Sequence, residues 1–281
     1  MQTILEPARG EVSTSSRHPL SPSARRSISN LLAPLDRIAA NSPSLVAHHD
    51  AIFKVGGQSY EISRYSFVGP QGGGAPIRLG LFAAIHGDEP EGTHALVHFI
   101  RLLEARPELA AGYCLFFYPV CNPTGFEDGS HASRNGRDLN REFWKNSTQP
   151  EVRILETELS SRFFHGIISL HTHEDGDGLY GMVRGQTLAR HLLEPALKAA
   201  ETFLPRDERG IIAGHPANNG MIRDSAAGAL SAPPKASPRP FEITLETPRT
   251  PPAYLKEFAL AVALRTILVE YRKFIAYAQN L

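Results

Sequence analysis

The side chains best suited to chemistry in this chain are a histidine and a glutamate three residues apart, His86 and Glu89. They follow residues 77–85, an apolar run that predicts a strand buried on both faces. Pro90 suits the first position of a helix, so the pair lies in a predicted strand-to-helix turn. Open α/β sheets place their sites at the carboxyl ends of strands, and an imidazole with a carboxylate can bind one zinc ion.

Two further predicted strands also end in a candidate chemical residue. Gly166–Leu170 runs into His171, and Phe241–Leu245 ends at Glu246. Strand ends in a sheet covered on both faces share one edge, so we expect these side chains to converge on one crevice with the first pair. Two imidazoles and one carboxylate leave a zinc ion an open position for water, which is the ligand count of a catalytic site.

His173 is the competing candidate for the third ligand, two residues after His171. We expect the chain to leave the strand between the two, so that their side chains point in different directions. His94 and His98 have the i, i+4 spacing of a zinc-binding helix, but Ala95 stands where that motif needs its glutamate. We interpret these two as histidines on a helix face.

The patterning predicts one domain over residues 28–281, preceded by a disordered leader over residues 1–27 that is rich in Ser, Pro and Arg. The expected fold class is α/β, with a mixed, mostly parallel twisted sheet flanked by helices. A hairpin within residues 51–67 is expected at the edge of this sheet. The other predicted elements are a strand over Tyr113–Val120 and helices over Ser29–Ala40, Pro90–Ala105, Pro150–Phe163, Leu188–Phe203 and Tyr254–Tyr277.

A long segment, Gly210–Pro240, separates the last predicted strand from the rest of the fold. It is rich in Gly, Ala, Asn and Pro, and a connection of this length inside a compact domain is typical of a functional loop. Its cationic side chains, Arg223, Lys235 and Arg239, could provide a second positive charge for an acidic substrate.

The composition excludes several classes of partner. Lys plus Arg and Asp plus Glu both total 29, so net charge favours neither nucleic acid nor an anionic membrane. No apolar segment approaches the roughly 20 residues needed to span a bilayer. The two cysteines, Cys114 and Cys121, do not form a disulfide framework, and a reducing, cytoplasmic location is expected.

Five motifs between Arg78 and Pro248 carry a resemblance to a known family. In chain order they are His86-Gly-Asp-Glu89, Asn122-Pro-Thr-Gly125, Asn135-Gly-Arg-Asp-Leu-Asn-Arg141, Ser169-Leu-His171 and Thr244-Leu-Glu246. The sequence resembles the zinc carboxypeptidases in these motifs. It is most similar to the branch that contains succinylglutamate desuccinylase, aspartoacylase and murein peptide amidase.

The resemblance implies a role for each residue that the strand ends bring together. His86, Glu89 and His171 would hold one zinc ion per chain, and Glu246 would be the catalytic carboxylate. The fold would be that of a zinc carboxypeptidase.

The resemblance also implies the groups that bind the substrate. Asn140 and Arg141 would hold a terminal carboxylate. Arg134 is the candidate for the arginine that stabilises the oxyanion, although the family's arginine lies several residues further before the Asp-Leu-Asn-Arg motif, nearer to His131. Peptide-cleaving members often have a tyrosine in the loop before the catalytic glutamate. Here the corresponding stretch has one tyrosine, Tyr180, close behind the metal ligand.

The function that this reasoning predicts is zinc-dependent hydrolysis of an amide bond next to a free carboxylate. A metallocarboxypeptidase or peptide amidase is the first hypothesis, with a small peptide as substrate. The alternative is an N-acyl-amino-acid amidohydrolase of the aspartoacylase or succinylglutamate desuccinylase kind. A non-catalytic zinc-binding or peptide-binding module is a third hypothesis, but it would have no need for a base at Glu246. The sequence leaves the oligomeric state open.

Overall fold

The computed structural model of the protein describes residues 25–72, 74–224 and 229–278, so most of the predicted leader lies outside the described residues. Twelve strands and seven helices are defined in these ranges. The strands are β1 (Leu45–His48), β2 (Ile52–Val55), β3 (Gln58–Glu61), β4 (Arg64–Val68), β5 (Ile77–Ala83), β6 (Tyr113–Tyr118), β7 (Gly166–His173), β8 (Tyr180–Val183), β9 (Ile211–Ile212), β10 (His215–Asn218), β11 (Met221–Ile222) and β12 (Phe241–Pro248). The helices are α1 (Ile28–Ala39), α2 (Pro90–Ala105), α3 (Pro123–Asp128), α4 (Pro150–Ser161), α5 (Gln186–Leu188), α6 (Glu194–Ala200) and α7 (Ala253–Ala278). Over these ranges no helix has both the length and the apolar character needed to cross a membrane.

Ten of the strands form one mixed sheet in the order β1-β4-β6-β5-β7-β12-β8-β11-β10-β9. The central strands β6, β5, β7 and β12 run parallel, and the pairs that flank them are antiparallel except for β8 with β11. The predicted α/β class with a mixed sheet is confirmed. Its parallel part is concentrated in the centre, where both faces are covered.

Each face of the sheet carries its own apolar core. On one face the buried side chains of α2, α6 and α7 pack against those of the central strands. On the other face α4 and the β2–β3 hairpin cover residues such as Phe82, Phe116 and Ile167. Because the central strands are buried on both sides, they read in the sequence as continuous apolar runs.

The structure differs from the sequence-based expectation at three elements. The hairpin β2–β3 is a separate two-stranded sheet and not the edge of the main sheet, which β1 forms by pairing with β4. Strand β7 does not end before His173 but includes it, because its parallel pairing with β12 continues to that residue. The segment from Gly210 to Pro240 is only partly a loop, since β9, β10 and β11 extend the sheet.

Two turns at the carboxyl ends of β5 and β6 pack directly on each other. A Cβ atom on Gly87 would lie 2.0 Å from the backbone carbonyl carbon of Gly125, so only a glycine fits there. The side chain of Asn122 reinforces this contact, because its amide nitrogen donates to the carbonyl oxygen of Ile85 at 3.3 Å and its oxygen accepts from the Gly125 backbone at 2.9 Å. The His86–Glu89 motif and the Asn122–Gly125 motif therefore form two turns that pack on each other.

The last three residues of the predicted leader contact the domain. The Arg25 guanidinium lies 3.1 Å from the carboxylate of Asp128. Arg26 donates from its side chain to the carbonyl oxygen of Gly87 at 2.8 Å. The Ser27 hydroxyl accepts from the backbone of Asn30 and caps α1. The ordered domain therefore begins at or before residue 25.

A chain that begins at residue 28 should melt about 2–4 °C below one that begins at residue 25, because the loss of a helix cap costs about 1 kcal/mol. Both variants lack residues 1–24, so the comparison isolates the contacts of residues 25–27. Differential scanning calorimetry measures the two transitions. Equal melting temperatures would show that these three contacts do not stabilise the domain.

Candidate metal centre

The turn after β5 places the first two candidate ligands. Ala84 adopts a left-handed conformation with φ of 49° as the strand ends, which turns the chain toward His86. Glu89 is the residue that precedes α2, and its backbone nitrogen donates to the carbonyl oxygen of His86 at 3.2 Å. Pro90 then begins the helix, as the sequence predicts.

The three predicted metal ligands converge on one point. The Nδ1 atom of His86 lies 2.8 Å from Oε1 of Glu89, and the Nδ1 atom of His171 lies 3.2 Å from Oε2 of the same carboxylate. One ligand atom from each residue lies within 4.8 Å of the other two. Glu89 and His171 are both only 4% exposed. Two imidazole nitrogens therefore face one buried carboxylate, as the ligands of a single metal ion must.

The charges of this cluster fit a bound cation. Burial opposes ionisation of Glu89, but the adjacent His86 and His171 outweigh it and hold its pKa well below the usual range. Burial likewise disfavours the charged form of His86, but Glu89 and Asp138 raise its pKa to about 10. The carboxylate thus stabilises positive charge between itself and the imidazoles. A metal ion supplies that charge when it replaces the imidazole proton.

Asp138 orients the first histidine from the opposite side. Its Oδ1 atom lies 3.4 Å from Nε2 of His86, so the nitrogen that does not face Glu89 faces a carboxylate. Such a partner fixes the ring of a metal-binding histidine and makes it a stronger ligand. Asp138 belongs to the Asn135–Arg141 motif, but the motif alone does not indicate this role. The sequence signal for this role was the position of the carboxylate, in the same loop as the predicted substrate residues Asn140 and Arg141.

Glu246 lies beside the metal ligands on the same face of the sheet. It is paired in register with His171 across the parallel strands β12 and β7. Burial raises the pKa of Glu246 to about 7; the nearby charge of Glu89 adds to this, and His171 opposes it. A carboxyl group with such a pKa can both accept and release a proton near neutral pH.

The two predicted substrate residues lie on a single turn that Asp138 begins. The side chain of Asp138 accepts from the backbone of Asn140 at 3.1 Å and from Nε of Arg141 at 2.8 Å. The Arg141 side chain is 83% exposed, and its two terminal nitrogens remain available to a ligand. The Asn140 side-chain oxygen accepts from the backbone of Leu230 at 2.8 Å, which leaves its amide nitrogen as a donor.

The side chain of Arg134 contacts groups outside the metal cluster. Its guanidinium forms a bidentate pair with Asp128, with both distances 2.8 Å, and also contacts Glu127 and the hydroxyl of Tyr60. Among the described residues, none of these partners belongs to the metal cluster. These contacts hold the arginine against the β2–β3 hairpin, and its role as the oxyanion arginine stays a prediction.

His131, which is nearer in sequence to the offset of the family's arginine, lies beside the predicted metal ligand His86. Its ring stacks on that of His86 with 3.8 Å between the ring centroids. Its Nδ1 lies 3.5 Å from Asp88 and its Nε2 lies 3.7 Å from Asp138, and half of its side chain is exposed. It is thus an imidazole at the open side of the cluster.

His173, the competing ligand, does not reach the cluster although β7 extends through it. Its Nε2 donates to the carbonyl oxygen of Gly178 at 3.0 Å, and its ring packs against Tyr180. The convergence of ligand atoms therefore selects His171 over His173, as expected from the sequence, but for a different reason. The strand does not end between them; a hydrogen bond turns the second imidazole aside.

Residues 76–204 match the family model of the succinylglutamate desuccinylase/aspartoacylase catalytic domain. Among solved structures, a metallo-carboxypeptidase from Burkholderia cenocepacia superposes with a TM-score of 0.70 at 15% identity, covering 89% of this chain and 70% of the other. The chain has the carboxypeptidase fold. Its resemblance to the zinc carboxypeptidases, near the succinylglutamate desuccinylase and aspartoacylase branch, is thereby confirmed.

Two other solved structures extend the comparison. A protein from Shewanella baltica, provisionally named a metallopeptidase, has a TM-score of 0.69 at 24% identity, with coverage of 86% of this chain and 91% of the other. Bovine thrombin-activatable fibrinolysis inhibitor, solved with a tick carboxypeptidase inhibitor, has a TM-score of 0.64 at 13% identity, with coverage of 89% and 98%. No curated protein matches the chain in sequence. The superpositions establish the fold. At identities this low, the substrate has to be inferred from the residues of the site.

The purified protein should contain about one metal ion per chain, and His171→Ala should lose it because only two ligands remain. His173→Ala removes an imidazole two residues away on the same strand and should retain the metal. Inductively coupled plasma mass spectrometry after exhaustive dialysis measures the content of each variant. Loss of the metal from His173→Ala alone would refute the assignment of the third ligand.

Proposed function

We propose that this protein is a zinc-dependent hydrolase that cleaves the amide bond next to a free carboxylate, with short peptides as its substrates. The observation that carries the proposal is the convergence of His86, Glu89 and His171, with Glu246 beside them. Two imidazoles and one carboxylate are the ligand set of catalytic zinc sites, which keep a fourth position open. A protein that only binds zinc or peptides would not need a carboxylate next to that position.

The reaction requires an activated water and a group that moves its proton. Zinc, when bound, lowers the pKa of a water molecule from 15.7 to roughly 7. Glu246 takes the proton from the attacking water and then delivers it to the leaving amine. Its raised pKa, about 7, suits both steps.

The substrate's carboxylate is anchored by Arg141. Because Asp138 occupies only the Nε atom of this arginine, its two terminal nitrogens face outward as a planar fork. A carboxylate accepts both hydrogen bonds of such a fork, whereas a lysine offers only a point charge. The amide nitrogen of Asn140 provides a further donor on the same turn.

The carbonyl oxygen that becomes negative in the reaction needs a donor near the metal. Arg134 is held by Asp128, which favours His131 for this role. His131 is half exposed and its ring stacks on that of His86, and a carbonyl oxygen that accepts from one of its ring nitrogens would replace Asp88 or Asp138 there.

N-acyl-amino acids are the second candidate substrates, because residues 76–204 match the succinylglutamate desuccinylase/aspartoacylase model. An acidic acyl group would need a second cation. Arg239 is paired with Glu242 at 3.0 Å, and Arg223 and Lys235 are exposed to solvent. In the described part of the segment, none of these three cations is paired with the metal cluster, and this favours peptides.

Glu246→Gln should hydrolyse short peptides with free C-termini roughly 10²- to 10⁴-fold more slowly than the wild type, because an amide cannot accept the proton of water. Metal content and the circular dichroism spectrum should not change. The same assay includes N-acetyl- and N-succinyl-amino acids. Turnover confined to those compounds would refute the peptide assignment and establish the second candidate.

Arg141→Lys should raise KM for these peptides about tenfold or more, because a hydrogen bond to a charged group contributes about 1.5–3 kcal/mol and the fork is lost. Amidation of the peptide's C-terminus should abolish turnover by the wild-type enzyme. Arg137→Lys is the matched control, since Arg137 is an exposed arginine of the same loop. An amidated peptide cleaved as fast as the free acid would show that no carboxylate is required.

A further inference from the structure

Three functional groups form a row across adjacent strands. His171 on β7 is in register with Glu246 on β12, and Glu246 is in register with Tyr180 on β8. Directly opposite residues of an antiparallel pair point to the same face, with their Cβ atoms about 4.5–5.5 Å apart. Tyr180 thus flanks Glu246 on the side away from the metal ligand.

The Tyr180 ring is fixed in this place. It is only 4% exposed, and it lies 4.7 Å from the His173 ring, measured between centroids. The hydrogen bond from His173 to Gly178 holds that second ring in turn. The rings of His173 and Tyr180, at the two ends of the β7–β8 connection, therefore pack together beside β12, the strand that carries Glu246.

We propose that Tyr180 is a positioning residue for Glu246, one that confines its carboxylate to the orientation in which it can reach the attacking water. The inference rests on the proposed function, in which Glu246 is the base. A glutamate side chain has several rotatable bonds, and burial without a neighbour of fixed shape would leave it several orientations. Misplacement of a reacting group by 1 Å can lower a rate about 10²-fold.

The electrostatics of the phenol agree with this placement. Burial raises the pKa of Tyr180 above its ordinary value, and the negative charges of Glu246 and then Glu89 raise it further. The phenol therefore stays neutral. A neutral ring restricts the carboxylate without pairing with its charge.

Met182 allows this role to be separated from simple packing. It lies two residues further along β8, on the same face and in the same small apolar cluster, but it is in register with Thr244 and not with Glu246. Loss of the Met182 side chain removes buried apolar contacts from this cluster at the position opposite Thr244.

The experiment compares Tyr180→Ala, Tyr180→Phe and Met182→Ala in the metal-loaded enzyme. We expect Tyr180→Ala to lower kcat about tenfold or more, with KM within about threefold and metal content unchanged, because only the orientation of the base is lost. Tyr180→Phe keeps the ring and should retain kcat within about threefold, and Met182→Ala should do the same although it melts at a lower temperature. If Tyr180→Ala does not fold, Tyr180→Leu, which keeps apolar volume but not the ring, replaces it. Equal kcat in Met182→Ala and the Tyr180 variant would overturn the inference, and so would a loss in Tyr180→Phe as large as in Tyr180→Ala.

A double mutant identifies the group through which Tyr180 acts. In a Glu246→Gln background, Tyr180→Ala should reduce the residual activity by less than about twofold, because the carboxylate that it positions is absent. A reduction as large as in the wild-type background would overturn the inference while leaving the proposed function intact. Full activity of Glu246→Gln by itself would instead refute the proposed base, and the role of Tyr180 with it.

Discussion

The buried carboxylate of Glu89 connects the carboxyl ends of two neighbouring strands, β5 and β7. Oε1 of Glu89 faces His86 after β5, and Oε2 accepts from the backbone nitrogen of Thr172 at 3.0 Å and faces His171 on β7. A buried charge destabilises a protein unless its partners surround it. Since β5 and β7 are neighbours in the sheet, the fold supplies those partners from two strand ends. Glu89 is therefore both a member of the candidate metal centre and the residue before α2.

The site divides into a rigid part and an exposed part. Glu246 lies on β12, which is hydrogen-bonded to β7 on one side and to β8 on the other. A strand held on both sides keeps its side chains in a fixed geometry. Arg141, by contrast, lies on a turn with most of its side chain in solvent. The proposed proton-transfer group is thus built into the sheet, and the proposed anchor for the substrate lies on an exposed turn outside it.

The convergence of His86, Glu89, His171 and Glu246 could be predicted from the sequence because each follows an apolar run that marks a buried strand. The orientation of side chains within loops could not. Arg134 and His131 are three residues apart on one loop, and their tertiary contacts separate them: Arg134 pairs with Asp128, Glu127 and Tyr60, whereas the ring of His131 stacks on that of His86. The short strands within 210–240 were missed because strands of two residues, such as β9 and β11, have no readable period.

The contact between Gly87 and Gly125 limits how this site can diverge. A side chain at Gly87 meets the backbone of Gly125 at 2.0 Å, and one at Gly125 meets the side chain of Asn122 at 2.4 Å and the backbone of Ala132 at 2.6 Å. A clash with a side chain can be relieved by a smaller neighbour, but a clash with backbone has no such remedy. A substitution at Gly87 therefore displaces the main chain of the turn after β6, and one at Gly125 also displaces the Asn122 amide that joins the two turns.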